Sequence, residues 1–275
     1  MQDNLYDLGH YSLLMTVYSG TVLAEFAESL DSMLNQTVPP SEIVVVFDGP
    51  VSRELESYIV SEVQDLPLKT IRLERNLGPA KAAAEGILEC SYELIARLDS
   101  DDIAHTDRIE KEIRQFRDNP NLVSVGALVT EFNENGDRYE VKLPERFNDI
   151  VAFARRRCPC RQTTLLYRRS KVIAVGNYSS LRVAEEWELY NKFIERGYEC
   201  YNIQESLVDM RVSDSYFSRR GGMAYAKQIL GFKFGMLKKR QCSLSDFIVS
   251  GLSSFVVSCL PNKARTAIYA VFLRD

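Results

Sequence analysis

Short apolar runs alternate with helix-period segments through the first 120 residues. Leu13-Leu14-Met15-Thr16-Val17-Tyr18 has the form of a buried strand, and Val22, Phe26, Leu30, Met33 and Leu34 then fall on one helical face. After Pro39-Pro40, Glu42-Ile43-Val44-Val45-Val46-Phe47 is a β-branched run suited to a central parallel strand. It stops at Asp48-Gly49-Pro50, which has turn chemistry. The pattern then predicts a polar helix around 53–63, a strand at Lys69–Leu73, a turn at Arg75-Asn76-Leu77-Gly78-Pro79 and a helix at Ala80–Leu88. A fourth strand ends at Asp99. Strands alternating with helices imply βαβ units and a parallel sheet. Right-handed crossovers bring Tyr18, Asp48, Arg75-Asn76 and Asp99–Asp102 to one carboxyl edge, where open α/β sheets bind ligands.

The second half is less regular. Leu122–Phe132 reads as a strand, Glu134-Asn135-Gly136-Asp137 as a turn and Thr163–Tyr167 as another strand. A helix is predicted from Ala184 to Arg196, stopped by Gly197, then strands at Tyr198–Ile203 and Ser206–Val212 and a helix over 223–239. No linker, repeat or low-complexity segment interrupts residues 1–240, which therefore read as one domain, with 241–275 as a tail.

The chemistry concentrates in Leu94-Ile95-Ala96-Arg97-Leu98-Asp99-Ser100-Asp101-Asp102, where an apolar strand ends in three carboxylates. Like charges this close raise one another's pKa unless a cation relieves them. Hard divalent ions such as Mg²⁺ or Mn²⁺ suit carboxylate oxygens together with substrate phosphates. The plain alternative is that Asp101 and Asp102 complement the dipole of a helix starting near Thr106.

Composition narrows the field. The net charge of −4 argues against nucleic acid as the main partner. Yet Arg146, Arg155, Arg156, Arg157, Arg161, Arg168, Arg169, Lys171 and Arg182 make the middle of the chain basic, a solvated face or an attraction for an anionic substrate. Met1-Gln2-Asp3-Asn4 has neither the basic start nor the apolar run of a signal peptide, so a cytoplasmic setting with six reduced cysteines is expected. Cys158-Pro159-Cys160 has no second pair at zinc spacing, and two histidines offer little for a hydrolase triad. Neither a dinucleotide fingerprint nor a Walker loop is present.

In order, Met15-Thr16-Val17-Tyr18, Val44-Val45-Val46-Phe47-Asp48-Gly49-Pro50, Arg75-Asn76-Leu77-Gly78-Pro79-Ala80 and Leu98-Asp99-Ser100-Asp101-Asp102 resemble the motifs of family-two glycosyltransferases of the GT-A fold. Val175-Gly176-Asn177-Tyr178, Val183-Ala184-Glu185-Glu186-Trp187-Glu188-Leu189 and Arg211 ahead of Ser218-Arg219-Arg220-Gly221-Gly222 extend the resemblance over nearly the whole chain. It is closest in kind to bacterial enzymes of surface-polysaccharide synthesis. The resemblance implies an α/β fold with a Rossmann-like, mostly parallel sheet, a nucleotide-binding half at 1–120, an acceptor half at 121–240 and a helical tail. It also implies transfer of a hexose from a nucleoside-diphosphate sugar, usually a UDP-sugar, to a saccharide or lipid-linked acceptor, with inversion.

The same resemblance implies the site. Thr16, Val17, Tyr18, Asp48, Arg75, Asn76, Asp99 and Ser100 would hold the donor, with Asp48 at the base and Asp99 at the ribose. Arg211, Arg219 and Arg220 would meet the diphosphate. Asp101, joined by Asp99 or Asp102, would hold Mn²⁺ or Mg²⁺. The catalytic base would be Glu186, with Glu185 as competitor, because the usual Glu-Asp pair is here Glu-Glu. Two acids in a first helical turn are also what any helix favours. Arg161-Gln162 stands where relatives often carry Asn-His. Two other readings remain open at this point: a sugar nucleotidyltransferase and a non-catalytic carbohydrate-binding subunit.

In the tail, Leu244, Phe247, Ile248, Gly251, Leu252, Phe255, Val256 and Cys259 recur at helical spacing, with serines 245, 250, 253, 254 and 258 over much of the other side. The segment is too short and too interrupted to span a bilayer. Basic flanks at Lys238-Lys239-Arg240 and at Lys263, Arg265 and Arg274 suit peripheral attachment of residues 244–274 to the inner face of the plasma membrane. Packing on the protein's own core or on a dimer partner fits the pattern equally.

Overall fold

The computed structural model describes residues 8–62, 67–213, 216, 220–261 and 265. The first half runs β1 (Tyr11–Val17), α1 (Leu23–Leu34), β2 (Glu42–Phe47), α2 (Arg53–Glu62), β3 (Leu68–Arg72), α3 (Pro79–Glu89) and β4 (Leu94–Arg97). β5 (Ile103–Ala104), α4 (Arg108–Asp118), β6 (Leu122–Phe132), β7 (Arg138–Val141) and α5 (Phe147–Ala154) follow. After a 3₁₀ turn at Gln162–Thr164 come β8 (Leu166–Arg168), α6 (Arg169–Ala174), α7 (Glu185–Glu195) and β9 (Glu199–Arg211). A helical hairpin, α8 (Gly222–Lys238) and α9 (Leu244–Cys259), completes the described chain. Residue 240 lies in the turn of that hairpin.

The strand order is β3-β2-β1-β4-β8-β6-β9-β5, with β7 beside β6. β3, β2, β1 and β4 are mutually parallel, and β6 and β9 run parallel to each other. β8 joins the two groups through antiparallel pairs with β4 and β6. Val17 pairs with Phe47 and Phe47 with Arg72, so the first three strands end level. Four loops therefore open onto one edge.

Both faces of the sheet are covered, which is why its central strands are apolar without a break. Leu13, Met15, Val17, Ile43, Val45 and Phe47 pack with Phe26, Leu30, Ile109 and Phe116 of α1 and α4. Leu14, Val44 and Val46 point the other way, onto the alanines and Ile87 of α3 and onto Leu189 and Phe193 of α7. Gly86 permits this approach: a Cβ there would lie 2.3 Å from Leu14 Cδ1. A third cluster of Trp187, Ile229, Phe232, Met236 and Cys242 fastens the hairpin to α7. Among the described residues no helix is long and apolar enough to cross a membrane.

Two expectations change in detail. The strands predicted at Tyr198–Ile203 and Ser206–Val212 are one strand, β9. Ile203 pairs with Ala127 and Ser206 with Leu128, so the polar Gln204-Glu205 pair bulges out without ending the ladder. The strand predicted from Thr163 begins only at Leu166. Thr164 Oγ1 donates to the Arg161 carbonyl at 2.9 Å, a local bond that favours a tight turn over a strand. β5, β7, α5 and α6 are too short or too mixed in pattern to be read from the sequence.

Candidate active site

Four of the expected loops meet along the level strand ends. At the end of β1, Thr16 is half-buried, Val17 buried and Tyr18 exposed, with Tyr18 N donating to Thr21 Oγ1 at 3.0 Å. After β2, the buried Asp48 accepts from Leu77 N at 2.6 Å and from Gly78 N at 3.0 Å, tying its loop to that of Arg75 and Asn76. Gly49 makes the contact possible. It sits at φ +84°, and a Cβ would meet Asn76 N at 2.7 Å. Arg75 and Asn76 stay exposed, and Arg182 Nη2 donates to the Asn76 carbonyl at 3.3 Å.

Beyond β4 the three aspartates diverge in environment. Asp99 Oδ1 lies 3.6 Å from the buried Arg97 Nη2 and accepts from Gln162 Nε2 at 3.4 Å. Asp99 N donates to Thr163 Oγ1 at 3.2 Å. Ser100 and Asp101 are half-buried. Asp102 turns inward and accepts from Arg211 N at 2.9 Å. Burial, then the charges of Asp101 and Asp99, push its carboxyl well above the usual range. Arg211 acts as a clamp: it donates to the Asp101 carbonyl at 3.1 Å and to Glu28 at 2.7 Å, and stacks on Phe132.

Glu185 and Glu186 open α7, immediately after Ala184 in a left-handed conformation at φ 59°. They touch this cleft electrostatically, since the charge of Asp99 raises the pKa of both. Each keeps part of its surface open, yet burial is the largest effect on each. Glu185 is pushed up to about 8 by burial and by the charge of Glu186. Glu186 is raised by burial, while Arg161 and Arg220 pull it back. Arg220 lies over the Tyr216 ring, 3.6 Å from its centroid. Arg219 lies outside the described residues.

The structure thus gathers a candidate site from the ends of β1, β2 and β4, which lie along one sheet edge, and from Glu185 and Glu186, on which the charges of Asp99 and Arg220 act. Arg97, Gln162 and Thr163 also belong to it, and sequence reasoning did not assign them. Arg97 had one signal, a charge inside an otherwise apolar strand. Beside the cleft, a cavity of about 570 Å³ separates residues 179–183 from α8, lined by Leu181, Arg182, Val183, Lys227, Phe232 and Met236 among others.

Residues 12–185 match the family described as Glycosyl transferase family 2. The chain belongs to that family. It is 31% identical over 269 residues to the Escherichia coli UDP-Gal:alpha-D-GlcNAc-diphosphoundecaprenol beta-1,3-galactosyltransferase, covering 98% of each chain. It is 34% identical over 217 residues to the amylovoran biosynthesis glycosyltransferase AmsE of Erwinia amylovora, covering 79% of this chain and 82% of that one. Its fold is shared with a mannosyltransferase from Pyrobaculum calidifontis, solved with GDP-Man and Mn2+. The TM-score is 0.65 at 15% identity, over 96% of this chain and 75% of that one. This glycosyltransferase therefore has a GT-A-type fold.

Proposed function

We propose that this glycosyltransferase moves a hexose from a UDP-sugar to the hydroxyl of a lipid-linked saccharide, with inversion at the anomeric carbon, at the inner face of the plasma membrane. The observation that carries the reading is the convergence of Asp99 with Glu185 and Glu186, residues far apart in sequence, such that the charge of Asp99 raises both glutamates. The named E. coli relative takes UDP-Gal and a diphosphoundecaprenol-linked sugar, which supports the choice of both substrates.

The donor set suits Mg²⁺ or Mn²⁺ held by one protein carboxylate together with substrate phosphates, the usual habit of these ions. Among the described residues no group of three acidic, histidine or cysteine side chains is placed to hold a metal ion, so Asp99, Asp101 and Asp102 do not act as a three-carboxylate site. Asp101 would supply the carboxylate and Asp99 would face the ribose, while Asp102 braces β9 through Arg211 N. When bound, the ion neutralises charge on the departing diphosphate. Arg220 would add its guanidinium to the stabilisation of that charge.

Glu186 is the base. The acceptor oxygen attacks the anomeric carbon opposite the diphosphate, its proton passes to a Glu186 carboxylate oxygen, and the nucleoside diphosphate leaves with the bonding pair. Arg161 and Arg220 keep that carboxylate available as an acceptor despite its burial. Such a base contributes about 10²–10⁴ in rate. Thr16, Val17, Tyr18, Asp48, Arg75, Asn76 and Ser100 frame the nucleotide, and the cavity beside residues 179–183 admits the acceptor.

Glu186→Gln is expected to bind a UDP-sugar with Mn²⁺ as the wild type does and to lose turnover. Asp101→Ala is expected to lose the metal-dependent part of donor binding in calorimetry. Full turnover by the glutamine variant would move the base to Glu185. Pyrophosphate release would instead indicate a nucleotidyltransferase, and no turnover of any donor a binding module.

A further inference from the structure

Helix α9 of the hairpin turns an apolar stripe outward and small polar residues inward. On α9, Asp246, Ser250, Gly251 and Ser258 face inward and are buried, with Ser258 only 3% exposed. Gly251 rests on Leu230 of α8, and Asp246 accepts from Arg156 Nε at 2.5 Å. Five apolar residues of the same helix point outward, while Phe247 packs on the Trp187 cluster. Leu244 is 61% exposed and Leu252 59%, with Ile248, Val249 and Val256 beside them. Phe234 of α8 extends the stripe through its ring contact with Phe247, at 6.1 Å between centroids. A helix in water places serine outside and leucine inside. This inversion calls for an apolar partner.

The charges around the stripe identify the partner. From residue 220 to 261 there are six basic residues and a single acid, in a chain whose net charge is −4. That acid, Asp246, is buried and paired with Arg156, whereas Lys227, Lys238, Lys239 and Arg240 are exposed. A two-fold dimer through this face would set two such cationic hairpins against each other. An anionic lipid surface matches both the apolar stripe and its cations.

We propose that the outer face of the α8–α9 hairpin docks on an anionic lipid bilayer, with Leu244, Ile248, Val249, Leu252, Val256 and Phe234 entering the headgroup–acyl boundary and Lys238, Lys239 and Arg240 meeting lipid phosphates. This deepens the reading of a lipid-linked acceptor but rests on the hairpin alone. The hairpin also grips the region of the base: Lys233 Nζ donates to the Arg156 carbonyl at 3.1 Å and lies 4.7 Å over the ring of Trp187, the neighbour of Glu186. Docking would therefore seat the cleft at a set height above the membrane.

The test is co-sedimentation of the full chain with phosphatidylcholine vesicles, with and without phosphatidylglycerol. Wild type is expected to bind the anionic vesicles and Ile248→Ser/Leu252→Ser to lose that binding at unchanged Tm, because both side chains are exposed. Lys238→Gln/Lys239→Gln/Arg240→Gln should weaken it on the order of a hundredfold. Absence of vesicle binding by wild type overturns the proposal. A salt-resistant dimer that the serine variant dissolves, or a fall in Tm of that variant without vesicles, also overturns it, because the stripe is then a protein interface or a packed core. Transfer to a short-chain, water-soluble acceptor should survive in the serine variant. Vesicle binding with no glycosyl transfer at all would sink the functional reading and leave the docking surface standing.

Discussion

Nη2 of Arg97 lies 3.6 Å from Oδ1 of Asp99, a fully buried cation beneath a carboxylate that opens to the cleft. Nη1 of the same guanidinium donates to the Leu14 carbonyl at 2.7 Å, so the strand that carries the cleft's first loop also anchors this cation. Gln162 reaches the same Asp99 oxygen from the side. The arrangement orients one carboxylate before any substrate arrives and offsets part of the repulsion among three.

Replacing Arg97 tests this directly. Arg97→Met should cost about 1–3 kcal/mol, because it deletes a buried charge-assisted bond to the Leu14 carbonyl. That is a fall of several degrees in Tm for a domain of this size, at about 2–4 °C per kcal/mol. Donor affinity should drop as well. Arg97→Lys keeps the charge but not the planar fork and should recover stability more than donor binding. Unaltered donor affinity in both variants would leave Arg97 a purely structural residue.

The glutamate pair predicts a pH dependence of stability. Glu185 is pushed from 4.5 to about 8 in the folded protein, first by burial and then by the charge of Glu186. The folded state thus holds a proton that the unfolded chain releases. The resulting stability is full below the unfolded value and is lost as pH rises through about 8. Glu185→Gln removes this dependence. Without metal or donor, its Tm should equal wild type at pH ~4 and exceed it at pH ~9. Because Glu185 is still protonated where Glu186, the proposed base, ionises, the same variant should leave the acid limb of kcat/KM in place.

Ala184 stores strain beside the proposed base. Its left-handed backbone, at φ 59° and ψ 32°, costs an L-residue roughly 1–2 kcal/mol relative to ordinary helix entry. Ala184→Gly is expected to raise Tm by a few degrees while turnover falls several-fold, because the loop into Glu185-Glu186 gains freedom. A gain in both stability and turnover would show that this strain has no part in setting the base.

Asp48 separates two roles. Its carboxylate oxygens accept from Leu77 N and Gly78 N, so Asp48→Ala should cost about 1.5–3 kcal/mol from lost charge-assisted bonds. Asp48→Asn retains one acceptor and should restore much of that loss in thermal melts. A weaker preference for uridine over other nucleotides in the asparagine variant would mark Asp48 as a reader of the base. An unchanged preference would confine it to joining the two loops.

Local pattern carried most of the first half. The strands β1 to β4 were legible because apolar runs ended at Asp-Gly-Pro, Asn-Leu-Gly-Pro and Asp-Ser-Asp-Asp, where chain chemistry alone stops a strand. The level carboxyl edge followed from parallel crossovers. The second half was harder. Thr163 and Thr164 looked β-forming but spend their hydroxyls on Asp99 N and on the Arg161 and Ala127 backbones. Gln204-Glu205 looked like a strand end because a bulge and a break share one polar signature.

The sequence by itself determined the parallel half-sheet, its ligand-binding edge, the acidic run after β4 and the glutamate pair opening α7, since each depends on residue type within a few positions. Only the tertiary structure decided which aspartate turns inward, that Arg97 sits under Asp99 and that the charges of Arg161 and Arg220 act on Glu186. Those facts depend on burial and charge between segments distant in the chain. The same holds for α9. Its periodicity defined two faces, but the Asp246–Arg156 pair and the packing of Gly251 on α8 chose which one looks outward.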